Sequence, residues 1–237
     1  MASGKRLFLI GTVHRDPRGE ERLGDLLAGL RPTALTLEMS PTAADYRRRR
    51  GQLLLQRLDR ILDRLARKEG YARQTLAERP AVVDIRRLLS FPFEYRASRS
   101  YADQAGIPFA LIDLPEVSAR KLRLVESDLI TYRNLRTLVR LEADGAGREE
   151  SYSLARTLIL GRAIPEVVIS FLRRRRGEEG IGRRDALMAE EIRSRLAGES
   201  PGRLAHVGGW VHMLDDPQRE TLYSQLRDLE PERILLG

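Results

Sequence analysis

The chain has 237 residues, 42 Lys plus Arg against 34 Asp plus Glu for a formal charge of +8, and no cysteine. The missing thiols exclude a disulfide scaffold, a thiolate zinc site and a cysteine nucleophile. A hydrophobic content of 42% allows a packed core, and the length fits one large domain better than two.

In chain order, Leu7 to Ile10 reads as a strand that runs into Gly11-Thr12-Val13-His14. Gly19 to Leu30 follows as an amphipathic helix, with Leu23, Leu26, Leu27 and Leu30 on one face. Ala34 to Leu37 is a second strand, ending in Glu38. Thr42 can cap a long helix that reaches about Lys68 and carries Leu54, Leu58, Ile61, Leu62 and Leu65 on one stripe. Phe93 to Gln104 is helical and is closed by Gly106 and Pro108. A third strand, Phe109 to Ile112, precedes Asp113. Val117 to Leu141 is mostly helical, and Asp144 to Gly147 breaks the chain. Helical patterns recur over 151–161, 165–175, 184–197 and 217–229. A fourth strand, Leu204 to Val207, leads into Gly208-Gly209, and Ile234 to Leu236 makes a fifth.

This order predicts an α/β fold: a small, largely parallel or mixed sheet flanked by helices. Residues 1–237 read as a single domain. Helical insertions over about 43–90 and 117–180 form a cap over the sheet or the arm of a homodimer. No stretch is apolar over the length a membrane span needs, no signal-peptide core opens the chain, and the expected location is cytoplasmic.

The positive charge invites a nucleic-acid reading, strengthened by two arginine runs, Arg47 to Arg50 and Arg173 to Arg176. Only Lys5, Lys68 and Lys121 are lysines, so the excess reflects arginine usage spread over solvated helix faces. No zinc-finger spacing or aromatic RNA-binding signature is present, and no specific nucleic-acid partner is expected. A small-molecule or peptide substrate is the expected partner.

Imidazole chemistry is confined to three residues, His14, His206 and His212. Each of the first four apolar strands is followed by a metal ligand or acid/base group: Gly11-x-x-His14, Glu38, Asp113 and Gly209-x-x-His212. In a parallel sheet these ends share one edge, where open α/β folds bind ligands. Imidazole and carboxylate together suit a divalent transition metal such as Mn, Co, Zn or Fe. Such an ion acidifies its bound water; without one, His and Glu can activate water directly. His206, inside an apolar run, reads as a core histidine, Asp16 as a turn residue beside Pro17, and Trp210 as a pocket wall or a core residue.

Five segments carry a resemblance. They are Gly11-Thr12-Val13-His14 with Ala34 to Glu38; Phe93-Glu94-Tyr95 with Tyr101-Ala102; Gly106-Ile107-Pro108 with Leu111-Ile112-Asp113; Arg184-Asp185 with Met188-Ala189; and Val207-Gly208-Gly209-Trp210-Val211-His212. Their order resembles the TraB/PrgY pheromone-shutdown family. That family is related to the Tiki metalloproteases, the GumN proteins, the erythromycin esterases and the ChaN-like haem-binding proteins. The family's closing motif is usually tighter, without the Trp210-Val211 pair. The resemblance implies a metal-dependent hydrolase with His14, His212 and either Glu38 or Glu94 at its centre. Asp113, Arg184 and Asp185 complete the expected site, with Glu38 as ligand or base and Arg184 as orienter or substrate clamp. Alternatives are a metal-independent His/Glu esterase and a non-catalytic binder of haem, iron or a peptide.

Overall fold

The computed structural model describes residues 5–14, 16–140, 148–159, 165–177, 180–198 and 202–237. The chain divides into two compact units. The first comprises Met1–Ser40, Phe93–Leu114 and Gly147–Gly237, and the second Pro41–Pro92 and Pro115–Ala146.

The first unit is built on five strands, β1 (Arg6–Thr12), β2 (Ala34–Leu37), β3 (Phe109–Leu111), β4 (Arg203–Gly209) and β5 (Glu232–Leu235). They form one sheet of order β3-β2-β4-β1-β5, and every pairing is parallel. The sequence left a mixed sheet open; the pairing settles on the parallel form. Strands covered on both faces must be apolar nearly throughout. β1 and β4 meet this, each buried at its last six positions. The register places Gly11 beside Gly208 and Thr12 beside Gly209. With β4 lying between β1 and β2, the ends of all three adjoin.

Around the sheet run α1 (Gly19–Leu30), α5 (Phe93–Ala105), α8 (Arg148–Ile159), α9 (Pro165–Arg173) and α10 (Arg183–Ala197). Gly19 opens α1 because nothing larger fits: an added Cβ would stand 2.6 Å from the Phe93 ring. This close approach seats the first turn of α5, and Glu94 with it, against α1. α8 and α9, placed by sequence in the 117–180 insertion, cluster with the sheet unit instead.

The stretch expected as one helix over 217–229 is helical only at α11 (Leu222–Gln225), with a 3₁₀ turn at Arg227–Leu229. The Asp216 carboxylate accepts from the amides of Gln218 and Glu220, and Arg219 adopts φ 56°. A side chain that captures local amides competes with the helix, and a left-handed residue ends it.

The second unit contains α2 (Pro41–Glu69), α3 (Arg73–Glu78), α4 (Pro80–Leu89), α6 (Pro115–Leu124) and α7 (Tyr132–Leu138). α2 starts at Pro41, so Thr42 lies inside the first turn rather than capping it; proline suits that first position because no partner is needed for its missing N–H. The predicted stripe packs inward: Leu54, Leu58, Leu62 and Leu65 are buried with Leu76, Val82, Ile85 and Leu89. Between α6 and α7 the helix widens into a π-turn at Val125–Leu129, and the Thr131 hydroxyl caps α7. The expected break at Asp144 to Gly147 lies outside the described residues. Among those residues no helix is long and apolar enough to cross a membrane.

Candidate functional site

The site lies wholly in the sheet unit, at the C-terminal edge of the strands. His14 follows β1 on a short turn. Its Nδ1 lies 2.8 Å from Glu94 Oε1, in the first turn of α5. The same oxygen accepts from the Thr12 hydroxyl at 3.0 Å, and that hydroxyl also reaches the Gly208 carbonyl at 3.2 Å. Glu94 is 6% exposed and His14 is 67% exposed, so a buried carboxylate steers an imidazole whose far side meets solvent.

Glu38, at the end of β2, is the hub. Its Oε1 accepts from Arg184 Nη2 at 2.9 Å and stands 3.1 Å from His212 Nε2; its Oε2 accepts from the Gly209 amide at 2.7 Å. Burial alone would raise the Glu38 carboxyl, but the charges of His212 and Arg184 overcome it and hold the group well below the usual carboxylate range.

His212 sits in a 3₁₀ turn (Trp210–Met213) after β4. Its Nδ1 is 2.8 Å from Asp185 Oδ1, which also accepts from the Leu222 amide at 2.6 Å. Burial disfavours the imidazolium, yet Glu38 and Asp185 on its two sides push the pKa up to about 10. His212 is therefore a cation at neutral pH, donating in both directions. Around His14 the loss of surrounding water also opposes the charged form, but the Glu94 hydrogen bond and the charges of Glu94 and Glu38 raise its pKa.

Arg184 and Asp185 open α10, as the sequence suggested. The Arg184 guanidinium grips Asp113 through two bonds of 2.8 Å and holds Glu38 with the same Nη2. Asp113 also accepts from the Leu114 amide, so its carboxylate is held in place to anchor Arg184. Asp113 and Asp185 thus stand behind the residues they orient.

Two glycines make the arrangement possible. A Cβ on Gly208 would lie 2.9 Å from both Glu38 Oε2 and His206 Nε2, and one on Gly209 would lie 3.3 Å from His14 Nε2 and 3.5 Å from Glu38 Oε2. A side chain at position 208 would displace Glu38 or His206, and one at position 209 would crowd the His14 ring.

His206 is fully buried, as its apolar context implied. Its Nδ1 bonds the Thr36 hydroxyl at 3.0 Å, and burial pushes its pKa down to about 4, so it is neutral. Sequence reasoning missed Thr12, which ties Glu94 to β4; its signal was a hydroxyl at the end of an otherwise apolar strand. It also underrated Asp16, whose buried carboxylate accepts from Arg22, from the Arg18 amide and from the Tyr152 hydroxyl. Trp210 is a buried ring stacked on Phe171.

Metal-ligating imidazoles usually turn their second nitrogen to a carboxylate, which fixes the ring. Here both G-x-x-H histidines do so through Nδ1, with Glu38 between them, and the donor set suits a nitrogen–oxygen site. As the side chains stand, no three His, Asp or Glu groups among the described residues converge on one point. Comparison with known proteins adds nothing further: no protein family, no curated protein and no solved structure matches this chain.

Proposed function

We propose that this chain is a metal-dependent hydrolase of the cytoplasm, cleaving an ester or amide of a small molecule or peptide. The observation that carries the reading is the paired arrangement of His14 with Glu94 and His212 with Asp185 about one central carboxylate, Glu38. The order of motifs resembling the TraB/PrgY family supports it. A divalent transition metal would be held by His14 Nε2, Glu38 and His212 Nε2, the last only after the His212 imidazolium gives up its proton and the three side chains draw together from where they stand; when bound it would supply a water acidic enough to attack near neutral pH.

The remaining chemistry belongs to the chain. Glu94 and Thr12 hold the His14 ring in one orientation. Asp185, itself pinned by the Leu222 amide, does the same for His212. Arg184, clamped by Asp113, keeps Glu38 in place rather than reaching toward substrate. Solvent enters on the His14 side.

A second reading has its own support. Every oxygen of Glu38 already has a protein donor, while His14 Nε2 has no partner among the described residues. A neutral His14, donating from Nδ1 to Glu94, would take a proton from water at Nε2 without any ion. The two readings separate in one experiment. Chelator-treated protein is assayed on ester and peptide panels, with and without added Mn²⁺, Co²⁺ or Zn²⁺, beside His14→Ala. Activity that needs the metal and His14 supports the first reading, and activity that survives chelation but needs His14 supports the second. Activity retained by His14→Ala contradicts both.

A further inference from the structure

The two tetra-arginine runs have different surroundings. In the first, Arg47 donates to the carbonyls of Ser90 and Ala43, Arg48 and Arg49 face Asp45, and Arg50 pairs with Glu126. In the second, Arg176 pairs with Asp216 and Glu220, but Arg174 and Arg175 face no carboxylate among the described residues. A helix C-terminus favours a nearby cation, yet two adjacent cations repel. Partial burial and the neighbouring charge of Arg174 both disfavour the Arg175 cation. Stacking holds it in place: its guanidinium carbon lies 3.7 Å from the Phe171 ring centre. Phe171 in turn stacks on Trp210, with centroids 5.4 Å apart and planes 30° from parallel. Trp210 directly follows Gly209, whose amide holds Glu38.

Beside this stack runs a groove of about 380 Å³, lined by Glu166, Val167, Ser170, Phe171, Arg174 and Arg175. Glu166 is eight residues before Arg174, roughly 12 Å along the helix axis, too far to neutralise it. Among the described residues the groove therefore has a cationic end at Arg174 and Arg175, an apolar side made by Val167 and Phe171, and the Ser170 hydroxyl.

We propose that this groove binds a small ligand with a carboxylate or phosphate monoester attached to an aromatic or apolar body. The anion lies against Arg174 and Arg175 within reach of the Ser170 hydroxyl, and the body lies on Val167 and along the edge of the Phe171 ring. That this ligand is the substrate's own anionic end, set beside the catalytic edge by the Phe171–Trp210 stack, rests on the hydrolase reading; the binding itself does not.

Trp210 is the only tryptophan, so its emission reports on this stack alone. The full chain is titrated with phenyl phosphate, benzoate, inorganic phosphate and benzyl alcohol. The expected result is a saturable change with phenyl phosphate or benzoate, weaker binding of inorganic phosphate and none of benzyl alcohol. The stronger of the two aryl anions names the head group. Affinity should fall with added salt and by about tenfold or more in an Arg174→Ala/Arg175→Ala variant, the loss expected for a charge-assisted contact. An Arg48→Ala/Arg49→Ala variant should bind as the parent does. No saturable change with either anion, equal binding of benzyl alcohol, or unchanged affinity in the Arg174/Arg175 variant would overturn the proposal. None of these readouts needs turnover, so failure here leaves the hydrolase reading standing, and failure of hydrolysis leaves this one standing.

Discussion

Leu58, Leu62 and Leu65 of the helical unit and Asp185, His206 and His212 of the sheet unit are all less than a tenth exposed. In the helical unit burial removes apolar surface from water, and charge such as that of Arg50 is paired near the surface, there with Glu126. In the sheet unit burial encloses charge. Every buried polar side chain among the described residues belongs to it, including Glu94, Asp185, His206 and His212. Desolvating charge costs several kcal/mol per ion unless good partners offset it. The network is closely paired and most open to solvent at His14, which is the observation behind the proposal that it serves chemistry.

This contrast can be broken at several strengths. The largest effect belongs to Asp185→Ala, which leaves a buried imidazolium with one of its two partners; it should cost about 3–5 kcal/mol, measured by urea unfolding followed through Trp210 emission. Leu62→Ala in the helical unit should cost about 2–5 kcal/mol by circular dichroism, and the cost should be the same at every pH where the chain is folded. Arg184→Lys keeps the charge but loses the two-pronged grip on Asp113, for a loss of roughly 1.5–3 kcal/mol. Arg50→Ala removes a surface pair and should change stability by no more than about 1 kcal/mol.

The pH dependence sharpens the same comparison, because all three histidines lie in the sheet unit. His212 has a folded pKa of about 10, above its unfolded value near 6.5. Its contribution is fully present below about 6.5 and is lost as pH rises toward about 10. His206 runs the other way: its folded value of about 4 lies below the unfolded one, so stability falls as pH drops from about 6.5 toward 4. Denaturation profiles should show both limbs, and His206→Leu should flatten the acidic one. An acidic limb unchanged in that variant would mean that His206 does not carry it.

Much of the site could be read from the sequence because parallel strands announce themselves. A short apolar run that stops at His14, Glu38 or Asp113 fixes a side chain at the strand end, and the common edge follows from topology. Arg184 and Asp185 were visible as a helix start. Which carboxylate serves which imidazole was not visible. That pairing depends on α5 docking through Gly19 and Phe93 to bring Glu94 to His14, and on α10 bringing Asp185 to His212. Such contacts span 80 and 27 residues and leave no local pattern. The overextended helix at 217–229 failed for a local reason: its periodicity is helical, but the Asp216 carboxylate claims the amides that would begin it.

We propose that the two carboxylate-backed imidazoles and Glu38 together accept a divalent cation. Calorimetric titration of chelator-treated protein with Zn²⁺ near pH 7.5, in buffers of different ionisation enthalpy, tests it most directly. His212 is protonated at that pH, and a ligating imidazole must lose its proton. Saturable binding of one ion with release of at least about one proton is expected, with loss of that step in both His14→Ala and His212→Ala. Absence of saturable binding, or binding that releases no proton and survives both substitutions, would contradict it.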